Sequence, residues 1–172
     1  MPEGIFYVGS HPIAGSERSG IDDAKAELFN NALCIITPTD KSNPAATASI
    51  KSIWEKIGAR IDTMNPYFHD EIYAAVSHLP HIVAYALVNA INDINPNYIE
   101  YSGQGFKDTT RIAMSSSEIW RDIAVENRGN LIKFMDVFRE NFDKIERLLK
   151  NNDGSGLEKE FLKAKHLREK LR

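Results

Sequence analysis

At Asn65-Pro66 the chain changes texture, and that change limits its possible folds more than any other feature. Before it, short apolar runs alternate with helical patterns, as in α/β folds. Ile5-Phe6-Tyr7-Val8 reads as a strand ending at Gly9, Leu33-Cys34-Ile35-Ile36-Thr37 as a second stopped by Pro38, and Arg60-Ile61-Asp62-Thr63-Met64 as a third. Ile21 to Phe29, between the first two, has helical character. Asn43 as N-cap and Pro44 at the first helical position open a helix with Ile50, Ile53, Trp54 and Ile57 on one face, and Gly58 ends it. Strand, helix, strand with a right-handed crossover is half of a doubly wound sheet.

From Asn65-Pro66 onward nearly everything reads as helix. Asn65 caps and Pro66 enters the first turn of a helix reaching about Asn92, with Val76, Leu79, Val83, Leu87 and Ala90 as its core stripe. A linker at Asn95-Pro96-Asn97 leads to a loop from Gly103 to Arg111. Ser115 with Glu118 forms a capping-box pattern that starts a helix carrying Ile119, Trp120 and Ile123. Leu131, Phe134, Phe138, Phe142, Ile145 and Leu149 stripe the next helix. Asn152-Asp153-Gly154-Ser155-Gly156 breaks it before a charged terminal helix. The chain is therefore mainly α, with a small α/β segment at its start. So many apolar stripes in so few residues favour a homodimer over a bundle that closes on itself.

Composition narrows the function classes. A net charge of −3 lacks the polyelectrolyte footprint of a DNA- or RNA-binding protein, so no nucleic-acid partner is expected. Cys34 is the only cysteine, which excludes an internal disulfide and fits a reducing compartment. No apolar run approaches the roughly 20 residues that span a bilayer, and no signal pattern opens the chain. The expectation is a cytoplasmic protein with no membrane partner.

Three places could carry chemistry. His11, in Gly9-Ser10-His11-Pro12-Ile13-Ala14-Gly15-Ser16-Glu17, follows the first predicted strand at the rim of a sheet, where open α/β folds bind ligands. A neutral imidazole there could accept a proton from a substrate hydroxyl, with Glu17 within loop reach. The alternative is a strand-capping histidine. His78 and His81 share a helical face across Pro80, so a metal-dependent enzyme is conceivable. No H-E-x-x-H pattern is present and Cys34 is distant in sequence, so no metal is expected and polar ligand contacts are favoured. In Gly103-Gln104-Gly105-Phe106-Lys107-Asp108-Thr109-Thr110-Arg111 the third glycine of a dinucleotide loop is missing. That stretch reads instead as presenting Arg111 to a carboxylate, with Asp108 orienting it, or as a structural Asp–Arg pair. Trp120, nine residues on, is by default packing.

The stretches GSHPIAGSERSG, LCIITP, W-x-x-IGA, HD followed by VSHLPHIVAYAL, and GQGFKDTTRIA followed by IWRDI and EN, in this order, resemble the prephenate/arogenate dehydrogenases of tyrosine biosynthesis. They span the chain from Phe6 to about Asn127. The resemblance implies that residues 1–64 are the last part of a Rossmann-like nucleotide-binding domain and residues 65–172 an all-helical domain that dimerises and binds substrate. It implies oxidative decarboxylation of prephenate, or the equivalent reaction of arogenate, with NAD or NADP. His11 then matches the catalytic histidine, which accepts the proton of the substrate's C4 hydroxyl. Arg111 matches the arginine that binds a substrate carboxylate, and Glu17 and Asp108 match acidic residues networked with it. His78 and His81 match histidines lining the substrate pocket. Trp120 matches an aromatic near the site, one that the partner subunit can supply. Tyrosine is the implied inhibitor.

The chain departs from that family at its start. Nothing corresponds to the first β-α-β unit, so the Gly-rich loop that holds pyrophosphate at a helix N-terminus is missing. The expectation is a fragment or one half of a split enzyme, inactive alone for want of that loop. A non-catalytic dimeric module that binds an aromatic ligand such as tyrosine is the other reading.

Overall fold

The computed structural model describes residues 3–15 and 24–171. The chain divides into two compact units, Met1–Asn127 and Arg128–Arg172.

The first unit opens with a three-stranded sheet in the order β1-β2-β3, from β1 (Gly9–Ile13), β2 (Leu33–Thr37) and β3 (Arg60–Thr63). β2 and β3 are parallel and joined through α1 (Pro44–Lys56), the strand-helix-strand unit read from the sequence. Asn43 caps α1 by accepting from the Ala46 N–H at 3.0 Å. At the other end Gly58 adopts φ +92°, a left-handed conformation that glycine reaches without a Cβ penalty. Cys34, Ile35 and Ile36 are fully or almost fully buried. Cys34 and Ile36 share one face with Ala59, and Val8, Ile50, Trp54 and Ile61 pack around them.

The first strand lies further along than expected. Ile5, Phe6 and Tyr7 stay exposed, and pairing starts at Gly9, which faces Thr37. A Cβ at Gly9 would collide with the Thr37 hydroxyl, so the missing side chain lets the ladder begin there. Pairing is antiparallel and runs to Ile13 opposite Leu33. His11 is thus inside a strand, opposite Ile35, rather than after one. Pro12 is tolerated because β1 is an edge of the described sheet, where a missing N–H costs no ladder bond. The helix expected at Ile21–Phe29 does not form among its described residues. Residues 26–31 make successive turns, with Leu28 bonded to Lys25 and Asn30 to Glu27. Those bonds close over three residues and never propagate.

Beyond β3, Asn65 caps α2 (Pro66–Tyr73) through the Phe68 N–H at 2.8 Å. A π-helical turn (Ala74–His78) links α2 to α3 (Leu79–Ile94). The three form one 29-residue helix, Pro66–Ile94, whose 18-residue window of mean hydropathy 1.4 is long and apolar enough to cross a bilayer by length and composition. That corrects the expectation that no segment is so long. His78, Pro80 and His81 break the apolar run in sequence, but the helix continues through them. Only 11% of the window is buried within the chain.

A 3₁₀ turn (Pro96–Tyr101) follows, then α4 (Gln104–Thr110), a second 3₁₀ turn (Arg111–Met114) and α5 (Ser117–Glu126). The expected loop at Gly103–Arg111 is therefore helical, which its Gly-x-Gly composition concealed. The cap of α5 is Ser116, accepting from Ile119, one residue later than the capping-box pattern indicated. In the second unit α6 (Arg128–Lys150) and α7 (Gly154–Arg168) follow one another, with Asp153 capping α7 through Gly156. Of the stripe read on α6, Leu131 is buried, while Phe138, Phe142 and Leu149 stay exposed.

Candidate active site

His11 projects from β1 toward the first turns of α2. Its Nδ1 lies 2.8 Å from His69 Nε2, and His69 Nδ1 lies 2.9 Å from Asp70 Oδ1. The rings of His11 and His69 both lie against the buried Tyr73, at 4.7 and 4.6 Å between centroids. Partial burial lowers the His11 pKa, and the neighbouring His69 lowers it further. Both effects favour a neutral imidazole, the form that can accept a proton. Burial pushes the Cys34 thiol up, against a smaller opposing hydrogen bond from the His11 backbone. That makes it an inert core residue rather than a nucleophile.

The π-helical turn is where the sequence conflicts with a regular helix. Pro80 has no N–H to give to the Val76 carbonyl, and its ring would crowd that carbonyl in an α-helix. The helix widens instead, and the Leu79 N–H reaches back to the Ala74 carbonyl. His78 and His81 flank Pro80. His81 Nδ1 donates to the Ser77 carbonyl at 2.9 Å, since a carbonyl can only accept. In the neutral ring this leaves Nε2 as an acceptor. His81 stacks on Trp120 at 3.4 Å and 18°, and His78 meets the same indole edge-on at 5.9 Å. Trp120 is thus supplied by the same chain. Asn127 Nδ2 donates to the Asp70 carbonyl at 2.7 Å and lies 3.3 Å from His78 Nδ1. With its amide donors so engaged, His78 Nδ1 accepts and Nε2 carries the proton. Burial lowers the pKa of His78, Asp70 opposes this, and His69, His81 and His11 add to it. Burial likewise lowers His81, against the Ser77 carbonyl, which raises it. Four of the five histidines therefore form one cluster, and burial favours the neutral ring in His11, His78 and His81.

Arg111 and Asp108 both lie in the first unit. They line a cavity of about 520 Å³ with Val88, Ile99, Phe106 and Met114, and no histidine lines it. Asp108 Oδ1 accepts from Gln104 Nε2 at 2.7 Å, one turn earlier on α4. Glu17 lies outside the described residues. A third feature was not foreseen. Past the C-terminal ends of β2 and β3, a cavity of about 540 Å³ opens between Pro38–Lys41 and the head of α2, with Asp70 in its wall. That is the crevice position where open α/β sheets bind ligands.

No group of three or more His, Cys, Asp or Glu among the described residues is arranged to hold a metal ion. For a dinucleotide the fit fails at the phosphates. Gly103 caps α4 and Gly105 lies in its first turn, after a 3₁₀ turn and not a strand, and no G-x-G-x-x-G pattern occurs in these 172 residues.

Sequence reading missed His69, Asp70, Tyr73 and Asn127 as members of the cluster. Their signal was a His-Asp pair one turn past a helix cap, at the point where a strand hands over to a helix. Partnership with His11 is invisible there because 58 residues separate the two rings.

Residues 65–163 match the family described as prephenate dehydrogenase, dimerization domain, and residues 1–63 match prephenate dehydrogenase, nucleotide-binding domain. The chain is 36% identical to prephenate dehydrogenase of Bacillus subtilis, covering 99% of this chain and 47% of the relative. It is also 36% identical to cyclohexadienyl dehydrogenase of Zymomonas mobilis, covering 98% and 58%. It superposes on prephenate dehydrogenase from A. aeolicus in complex with hydroxyphenyl propionate and NAD+ with a TM-score of 0.90 at 36% identity, over 96% of this chain and 59% of that one. Synechocystis arogenate dehydrogenase gives a TM-score of 0.81 at 31% identity, over 96% and 62%. The chain thus spans about half the length of the curated relatives it matches. With a dimerization-domain match over more than half its length and the nucleotide-binding match beside it, the chain belongs to the prephenate dehydrogenase family.

Proposed function

We propose that the chain is the C-terminal portion of an NAD(P)-dependent prephenate or arogenate dehydrogenase. Residues 1–64 form the last part of its nucleotide-binding domain, and residues 65–172 its helical dimerisation and substrate-binding domain. The observation that carries this reading is the histidine cluster, with His11 hydrogen-bonded to His69 on the helix that also carries His78 and His81. In this reading His11 takes the proton of the substrate's C4 hydroxyl, while His78 and His81 hold the substrate beside Trp120. Arg111, with Asp108 and Glu17, binds a substrate carboxylate. Loss of the ring carboxylate as CO₂ aromatises the product to 4-hydroxyphenylpyruvate and makes the step irreversible. NAD or NADP is the hydride acceptor, held at its phosphates by elements these residues do not supply.

The same reading assigns the exposed apolar side of the Pro66–Ile94 helix to a second copy of the chain and not to lipid, because that helix lies within the dimerization match. The enzyme is then a cytoplasmic homodimer, and tyrosine, a phenol with a carboxylate, competes as an inhibitor. Calorimetry with 4-hydroxyphenylpyruvate and hydroxyphenyl propionate tests the site. Binding weakened at least tenfold by Arg111→Ala is expected, and no heat at millimolar ligand overturns the assignment. The isolated chain is expected to form no NAD(P)H from prephenate or arogenate, so turnover would overturn its reading as a portion.

A further inference from the structure

The His11–His69–Asp70 contacts decide more than proximity. A carboxylate oxygen only accepts hydrogen bonds, so at 2.9 Å from Asp70 Oδ1 it is His69 Nδ1 that carries a proton. In neutral His69 the other nitrogen, Nε2, is then a lone pair. That lone pair lies 2.8 Å from His11 Nδ1, which must donate for the contact to be a hydrogen bond. His11 Nδ1 is therefore protonated, and its Nε2 is left as the lone pair. We propose that Asp70 and His69 act as positioning residues that set the tautomer of His11, presenting Nε2 as a proton acceptor.

The chain of two hydrogen bonds runs from α2 to β1, and Tyr73 packs against both rings to hold their planes. Among the described residues, the titratable groups around His11 are His69 and Tyr73 on α2, Cys34 on the paired strand, and His78 at the end of the π-helical turn. Among the described residues, the group hydrogen-bonded to His11 Nδ1 is His69, which accepts from it. The logic parallels the carboxylate that holds a catalytic imidazole in a serine-protease triad, with a second imidazole inserted between the two. The role given to the free Nε2 rests on the dehydrogenase reading. There the proton leaves the substrate hydroxyl for Nε2, and the resulting imidazolium keeps its Nδ1–H on His69.

The test reads the tautomer directly and needs neither substrate nor cofactor, so it fails independently of the proposed function. Long-range ¹H–¹⁵N spectra of the ¹⁵N-labelled chain above pH 8 report which nitrogen of each ring is protonated, with His11 assigned by its loss in His11→Asn. Wild-type His11 and His69 are both expected as Nδ1–H. His69→Phe removes the acceptor, and His11 is expected to move toward the Nε2–H form that a free histidine side chain prefers. His69→Gln, whose amide oxygen can accept from Nδ1–H, is expected to restore the wild-type pattern. Asp70→Asn lets an amide donor face His69 Nδ1 and is expected to shift both rings toward Nε2–H. An Nε2–H His11 in the wild-type chain overturns the proposal, whether or not any variant folds. So does a His11 pattern unchanged by both His69→Phe and Asp70→Asn in folded protein.

Discussion

The β-sheet segment and the α6–α7 unit treat their apolar residues in opposite ways. β2 buries Cys34, Ile35 and Ile36 almost completely inside its own chain. α6 carries an equally clear apolar stripe, yet Phe142 is 62% exposed and Leu149 61%. In the first unit Tyr101 and Met114, on the two 3₁₀ turns, are as open at 83% and 72%. Apolar area is stabilising only when it leaves water, at roughly 25 cal/mol per Å². A stripe left open in one chain is therefore a surface for something else. β2 is buried within one chain, and the helical region matches a domain that dimerises.

The largest effect that can break this contrast is a change of mass. Light scattering at micromolar concentration is expected to give twice 19.4 kDa for the chain. A monomer would mean that the exposed stripes have no partner of this kind. Next comes a paired truncation followed by chemical denaturation. Ile36→Ala, at a fully buried position, is expected to cost about 3 kcal/mol. Phe142→Ala is expected to cost under about 0.5 kcal/mol in dilute, dissociated chains. Equal costs would erase the distinction between the regions.

The smallest effect sharpens the contrast from the polar side. His11, His78 and His81 have pKa values below the ordinary histidine value, mainly through burial. The unfolded chain then binds more protons than the folded one as pH falls from about 6.5 toward the folded values. Stability is thus full above the unfolded pKa and declines through that window, with no further loss below the folded values. The denaturation midpoint is expected to be lower at pH 5 than at pH 7.5. The double variant His78→Gln/His81→Gln is expected to flatten that slope, and an unchanged slope would assign it to groups other than these two.

Much of the fold could be read locally. Asn43-Pro44 and Asn65-Pro66 are caps whose side-chain oxygens reach the N–H three residues on, so their spacing alone marks a helix start. β2, α1 and β3 followed from apolar periodicity and from glycine at the helix end. The same reasoning failed at Ile5–Tyr7. An apolar run looks like a strand, but pairing depends on which residues face β2, and there Gly9 opposite Thr37 decided the register. It failed also at α4, where two glycines masked a helix held within a larger packing.

Of the candidate site, His11, His78 and His81 were legible as side chains near a sheet rim and on a helical face, and the family resemblance supplied their roles. His69 was not, because its importance comes from a ring 58 residues away in sequence. Arg111 and Asp108 were legible as candidate residues, but the cavity they both line, and the Gln104 amide that Asp108 accepts from, were not. Sequence by itself determined the caps, the helices and strands with strong periods, and the residue types able to do acid–base chemistry. Those depend on contacts within a few residues. Only the tertiary structure decided the antiparallel pairing of β1, the widened turn at Pro80 and the line from Asp70 through His69 to His11. Each of these depends on surfaces brought together from distant parts of the chain, or on how a helix relieves a local conflict inside them.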